Sequence, residues 1–282
     1  MSVTVFDDRP CALGEGPLWH PVRKQLFWFD ILGKRLMSRT DKGSLEWQFD
    51  KHVSAAGWVD ADRLLIATET ALICFDLVTG ASHELVHLEA DNPVTRSNDG
   101  RADPQGGFWI GTMGRNAEPG AGAIYRFYRG ELRLLFPEIT ISNAICFTPD
   151  GRFACFTDTP RRQIMRVRLD ARGWPAAEPT VFIDLTAEGL TPDGAVIDAQ
   201  GCLWNAQWGA SRVARYGTDG RFLSAVTVPS VHTTCPAFGE ADLKTLFVTS
   251  ATEGLTPPAP GDGLTHQGVL DVAGQAEHRV IL

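Results

Sequence analysis

The chain has 282 residues, a hydrophobic content of 44% and a formal charge of -8, which describe a soluble globular protein of one or two domains. No basic patch and no block of like charges is visible, which argues against a nucleic-acid partner, and no apolar run approaches the roughly 18 residues of a membrane span. Residues 1–10 lack the basic start and apolar core of a secretory leader. The six cysteines (Cys11, Cys74, Cys146, Cys155, Cys202, Cys235) form no Cys-x-x-Cys pair, so a cytoplasmic protein with reduced thiols is expected.

Long amphipathic helical patterns are missing. The chain starts on the strand-like segment Val3-Thr4-Val5-Phe6, then repeats one unit, a Gly/Pro/Asp/Asn turn followed by a short apolar run. His20-Pro21-Val22 leads into Leu26-Phe27-Trp28-Phe29-Asp30, and Val59-Asp60-Ala61-Asp62 into Leu64-Leu65-Ile66-Ala67-Thr68. Asp103-Pro104-Gln105-Gly106 precedes Phe108-Trp109-Ile110-Gly111-Thr112, and Thr148-Pro149-Asp150-Gly151 precedes Phe153-Ala154-Cys155-Phe156-Thr157. Asp198-Ala199-Gln200-Gly201 precedes Leu203-Trp204-Asn205-Ala206, and Gly239-Glu240-Ala241-Asp242 comes before Leu246-Phe247-Val248-Thr249-Ser250. The six runs start at intervals of 38 to 50 residues, each with room for about four short strands. The expected fold is all-β, a six-bladed β-propeller spanning residues 1–282 as a single domain. The strand-like C-terminus, His278-Arg279-Val280-Ile281-Leu282, is expected to share the closing blade with residues 3–6, leaving few open edges. Trp19, Trp58, Trp109 and Trp204 read as blade core, and His20, His52 and His232 as loop or packing residues.

In a propeller the first strand of each blade lines the central channel, so residues at one phase of the repeat form a ring. Ser54, Asn98, Asn143 and Asp193 each lie ten residues before their second-strand run, Glu15 eleven and Thr234 twelve, the last two with longer turns. Arg96 and Asp99 flank this ring. Two carboxylates and two amides around one axis suit a hard divalent cation, which takes oxygen ligands, and Glu15, Asn143 and Asp193 are expected to meet on it. Three protein ligands leave coordination positions for water and substrate. Asp and Asn before a strand are also ordinary turn formers. Asp99 beside Gly100 reads either as a turn residue or as an accessory site residue, and Arg96 either as a surface ion-pair residue or as part of the site.

The stretches Leu13-Gly14-Glu15-Gly16-Pro17, Arg96-Ser97-Asn98-Asp99-Gly100, Gly111-Thr112-Met113, Ile141-Ser142-Asn143 and Pro192-Asp193-Gly194, in that order, resemble the SMP-30/gluconolactonase/regucalcin-like family across essentially the whole chain. The resemblance implies a six-bladed propeller holding one divalent ion, of calcium, zinc, manganese or iron(II), on Glu15, Asn143 and Asp193. It implies substrate contacts at Arg96 and Asn98, and a sugar lactone as substrate. Some animal members carry a sugar-binding glutamate shortly after the Gly-Thr-Met motif. This chain reads Gly114-Arg115-Asn116-Ala117-Glu118 there, so sugar preference does not transfer.

The expected function is therefore metal-dependent hydrolysis of an aldonolactone to the aldonic acid. The ion would polarise the ring carbonyl, and Asp193, as general base, would take a proton from water and return it to the ring oxygen. Two other classes stay open: a non-catalytic, divalent-metal-binding regulatory propeller, and a phosphotriesterase-like hydrolase on the same scaffold. The expected assembly is a monomer or weak dimer.

Overall fold

The computed structural model describes residues 3–282 and is all-β, with 24 strands and one 3₁₀ turn, Thr159–Arg161, among those residues. Four antiparallel sheets of four strands follow one another along the chain. The first runs Gly14–His20, Gln25–Asp30, Arg35–Thr40, Gly43–Gln48, and the second Val53–Trp58, Arg63–Thr68, Ala71–Asp76, Ser82–His87. The third runs Thr95–Ala102, Phe108–Gly114, Gly122–Tyr128, Glu131–Ile139, and the fourth Ser142–Phe147, Phe153–Asp158, Gln163–Arg168, Thr180–Asp184. The first four apolar runs read from the sequence are the second strands of these sheets, and the last two fall on Leu203–Trp208 and Thr245–Ala251. The remaining eight strands form one sheet in two runs. Thr191–Ile197, Leu203–Trp208, Arg212–Tyr216 and Phe222–Thr227 make one run; His232–Gly239, Thr245–Ala251, Thr265–Val269 and Thr4–Asp7 make the other. A single backbone pairing, Trp208 with His232, joins the two runs.

The sheets stack face to face in a propeller-like arrangement because their first two strands are apolar on both faces. Burial removes those faces from water. Leu18, Phe27 and Phe29 of the first sheet pack on Val53, Leu64 and Ile66 of the second. Ala55, Leu65 and Ala67 of the second pack on Phe108, Ile110 and Phe127 of the third. The pattern continues through Trp109 with Phe156, Cys155 with Leu203, and Trp204 with Phe238. Ala237 and Phe247, near the end of the chain, pack on Trp19, Leu26 and Trp28 near its start. Trp19, Trp109 and Trp204 are buried core, as expected, while Trp58 is half-buried and donates its indole N–H to Glu277 O at 2.8 Å. All six cysteines are free and buried.

The terminal strands do not pair as the sequence suggested. Thr4–Asp7 lies antiparallel to Thr265–Val269, and residues 278–282 form no strand. The C-terminal segment instead crosses the second and third sheets: Val280 N–H donates to Trp58 O at 2.9 Å and Ile281 N–H to Gly106 O at 2.8 Å. Its apolar residues fill sockets left by glycines. A Cβ on Gly57 would collide with Val280, and one on Gly106, itself at φ +91, with Ile281. The valine-isoleucine pair that looked like a strand is thus a plug.

Candidate active site

Every first strand breaks register with its second strand in mid-course. Gly16 and Pro17 lie between the pairs Glu15–Phe29 and Leu18–Phe27, opposite Trp28 alone. Asn98 and Asp99 oppose Gly111, Ala144 and Ile145 oppose Phe156, and Asp193 and Gly194 oppose Ala206. The same shift occurs at Ser54 and at Thr234-Cys235. A bulge twists the strand and re-aims the side chains beside it. Two versions occur. Glu15 and Asn143 immediately precede a left-handed residue, Gly16 at φ +54 and Ala144 at φ +55, whereas Asn98 and Asp193 are themselves inside the bulge. The φ of Ala144 is unfavourable for a residue with a Cβ, a strain typical of functional sites.

The bulges beside Glu15, Asn98, Asn143 and Asp193 open on one cavity of about 540 Å³, a size suited to a small molecule. Glu15, Arg96, Asn98, Asn143 and Asp193 all line it. Arg96 is buried rather than a surface ion-pair residue; its Nη1 donates to Ser97 O at 2.9 Å and Asn98 Oδ1 at 2.8 Å. Asn98 Nδ2 donates to Ser142 O at 2.8 Å and to Asn143 Oδ1 at 3.2 Å.

Two members of the expected ring, Ser54 and Thr234, and Asp99 beside it do not line the cavity. Ser54 donates to Ser97 Oγ at 2.8 Å, and Thr234 to Gly14 O at 2.5 Å, so both hydroxyls tie neighbouring strands together. Asp99 is buried behind the site, where its Oδ2 accepts the Ile145 N–H at 2.7 Å from the adjacent first strand. That bond reaches across to another sheet, so Asp99 is more than a local turn residue.

The charges are unusual. Burial pushes the Glu15 carboxyl up to about 8, Asp99 adding to the effect and the Gly16 N–H and Arg96 opposing it. Burial raises Asp193 well above the ordinary carboxylate range, reinforced by Glu15 and then Asp99. Burial also takes Asp99 to about 6, against the Ile145 N–H and Arg101. Arg96 is lowered to about 10 by burial, with Glu253 and Glu15 pulling it back. No Lys, Arg or His side chain forms an ion pair with Glu15 or Asp193 among the described residues. Those residues also hold no cluster of three His, Cys, Asp or Glu, since the third expected ligand is the amide of Asn143.

Sequence reasoning missed Thr159, Trp208 and Glu253, which share the cavity. Thr159 Oγ1 accepts from Asn143 Nδ2 at 3.0 Å and donates to Pro192 O at 2.9 Å, linking Asn143 to the residue before Asp193. The signal was antiparallel geometry. Gly14 pairs with Asp30, Ser142 with Asp158 and Thr191 with Trp208, so the end of each second strand returns to the mouth where the first begins.

Fold and site together define an all-β, propeller-like protein with one polar cavity floored by buried carboxylates. The family described as SMP-30/Gluconolactonase/LRE-like region matches residues 13–252, and the chain belongs to that family. It is 39% identical over 287 residues to an L-arabinolactonase of Azospirillum brasilense, covering 98% of this chain and 93% of that protein. It is 32% identical over 252 residues to a 6-deoxy-6-sulfogluconolactonase of Pseudomonas putida, covering 87% and 85%. Its fold matches the crystal structure of a calcium-binding protein, regucalcin, from Agrobacterium tumefaciens with a TM-score of 0.97 at 41% identity, covering 100% and 98% of the two chains.

Proposed function

We propose that this chain hydrolyses a sugar lactone to its aldonic acid, using one divalent cation held by Glu15, Asn143 and Asp193. The observation that carries the reading is the pair of buried, unpaired carboxylates beside Arg96 in a cavity of small-molecule size. Two carboxylates and an amide oxygen, with no thiol or imidazole on the cavity wall among the described residues, are a hard donor set that fits calcium, manganese, zinc or iron(II) in its oxygen-ligand chemistry. Such an ion, when bound, supplies Lewis-acid polarisation of the lactone carbonyl.

The residues do the rest. Asp193 takes the proton of the attacking water on a carboxylate oxygen and returns it to the ring oxygen as the ester bond breaks. Among the described residues Arg96 bonds to the protein through Nη1 alone, which leaves the rest of its fork for substrate hydroxyls. Asn98 orients both Arg96 and Asn143 and keeps an acceptor position on its Oδ1 for a sugar hydroxyl. Asp99 serves as an accessory charge behind Glu15 and Asp193. The four four-stranded sheets and the two runs of the eight-stranded sheet act as six blades of one ring, with Thr4–Asp7 on Thr265–Val269 completing the last blade; the packing of Phe247 on Trp28 supports closure. Six buried free thiols fit a cytoplasmic location, and no helix is long and apolar enough to cross a membrane among the described residues.

Acid release from a panel of lactones, run beside a phosphotriester, tests the reading. Turnover of a sugar lactone alone is expected. Turnover of the phosphotriester alone would make the chain a different hydrolase. Divalent-metal binding with no turnover would make it a metal-binding protein, as the regucalcin name suggests for its relative.

A further inference from the structure

Leu13, Trp208 and Glu253 line the same cavity but have no role in the chemistry above. They form a built wall. Trp208 ends the strand Leu203–Trp208, and its indole stacks on the His232 imidazole with ring centres 3.9 Å apart and planes at 17°. Nδ1 of His232 donates to Glu253 O at 3.0 Å, and Glu253 N–H donates to Ala12 O at 3.0 Å. Trp208 also packs against the core cluster that contains Leu13. The aromatic pair therefore fixes both the indole and the backbone that carries Glu253. The Glu253 side chain is exposed, and of the acidic groups around Arg96 it acts on the guanidinium most strongly.

Resting on the lactonase reading, we propose that Trp208 and Glu253 set the substrate class, a neutral polyhydroxylated lactone, with the sugar's C–H face on the indole and its hydroxyls donating to Glu253. The negative face of an indole attracts weakly positive C–H groups and supplies a large apolar surface. A carboxylate accepts hydroxyl protons in charge-assisted bonds that a plain cyclic ester cannot make. A lactone carrying an anionic substituent would set like charge beside Glu253. These contacts would hold the sugar's C–H face and hydroxyls, groups that do not change in the reaction, so they act on ground and transition states alike and appear mainly in KM.

The test compares the parent with Trp208→Ala, Trp208→Phe and Glu253→Gln on three substrates: unsubstituted δ-valerolactone, a hexono-1,5-lactone and a carboxylate-bearing hexaro-lactone. Bound divalent metal and melting temperature are recorded for each. Trp208→Ala and Glu253→Gln are expected to raise KM for the hexonolactone about tenfold more than for δ-valerolactone. Trp208→Phe should recover most of the loss, and Glu253→Gln should narrow the preference for hexonolactone over the hexaro-lactone. Equal losses on δ-valerolactone and hexonolactone would overturn the inference, as would a parent-like preference in Glu253→Gln, which is at an exposed position and tests it even where Trp208→Ala does not fold. A parent that turns over none of the three would instead remove the lactonase reading itself, and the inference with it.

Discussion

Two sets of buried carboxylates divide this molecule. Asp7, Asp30, Asp103 and Asp198 are almost fully buried, and each meets an arginine: Arg9 at 2.9 Å, Arg35 at 2.8 Å, Arg126 at 2.6 Å and Arg215 at 2.7 Å. Asp103 also accepts the N–H groups of Gln105 and Gly107, and Asp198 those of Gln200 and Cys202, so each also fastens a hairpin turn. Glu15 and Asp193 are nearly as buried, yet no basic side chain pairs with them among the described residues. A buried charge without a partner is costly. At Asp7, Asp30, Asp103 and Asp198 the chain supplies the counter-charge itself; Glu15 and Asp193 face the cavity without one, and there an ion from outside can supply it.

The comparison breaks most visibly at Asp193 and Asp103. Asp193→Asn keeps a ligating oxygen and the shape but has no carboxylate to take a proton, so turnover should fall by at least about 10² to 10⁴. Its melting temperature should hold or rise, because repulsion with Glu15 is relieved. Asp193→Ala should be inactive and lose more metal. Asp103→Ala should behave oppositely: it strands Arg126, whose side chain is fully buried, and should cost about 3–5 kcal/mol in denaturant unfolding, with little direct effect on the cavity. Arg126 would keep only its positions over Trp174, at 4.3 Å, and Tyr128, at 4.8 Å.

Two smaller effects sharpen the contrast. Thr159→Val removes the hydroxyl that accepts from Asn143 and donates to Pro192 O, so divalent affinity measured by calorimetry should fall by about 10- to 100-fold. The metal-free chain should also show a pH signature. Glu15 titrates at about 8 when folded, against an ordinary 4.5, so the folded state keeps a proton that the unfolded chain has released. Metal-free stability should fall as pH rises through that window, and Asp193 is shifted in the same direction. A saturating divalent cation should raise the melting temperature more at about pH 8 than at about pH 5, where protons compete with it.

Much of this was legible in the chain. The repeat located all six second strands, because short apolar runs between turn clusters have few other solutions. Counting back from them brought Glu15, Asn98, Asn143 and Asp193 to one cavity. The same count placed Ser54 and Thr234 alongside, and there it failed: a hydroxyl is too short to reach past the strands and bonds to them instead. Glu15 lies one residue further from its run than Asp193 because its hairpin turn is longer: Trp19 pairs with Leu26 across a longer connection than the one by which Ile197 pairs with Leu203. Residues 278–282 have the composition of a strand, and only the glycine sockets at Gly57 and Gly106 reveal them as a plug. Thr159, Trp208 and Glu253 belong to no motif; their place follows from strand pairing alone.

The most direct measurement is acid release from a hexonolactone by chelated protein as one divalent metal is titrated back, with bound metal counted in the same samples. Turnover should be at background in the metal-free chain, rise in proportion to bound metal and saturate at about one ion per chain. Full turnover in the metal-free chain would contradict the claim that the unpaired carboxylates await a cation the reaction needs.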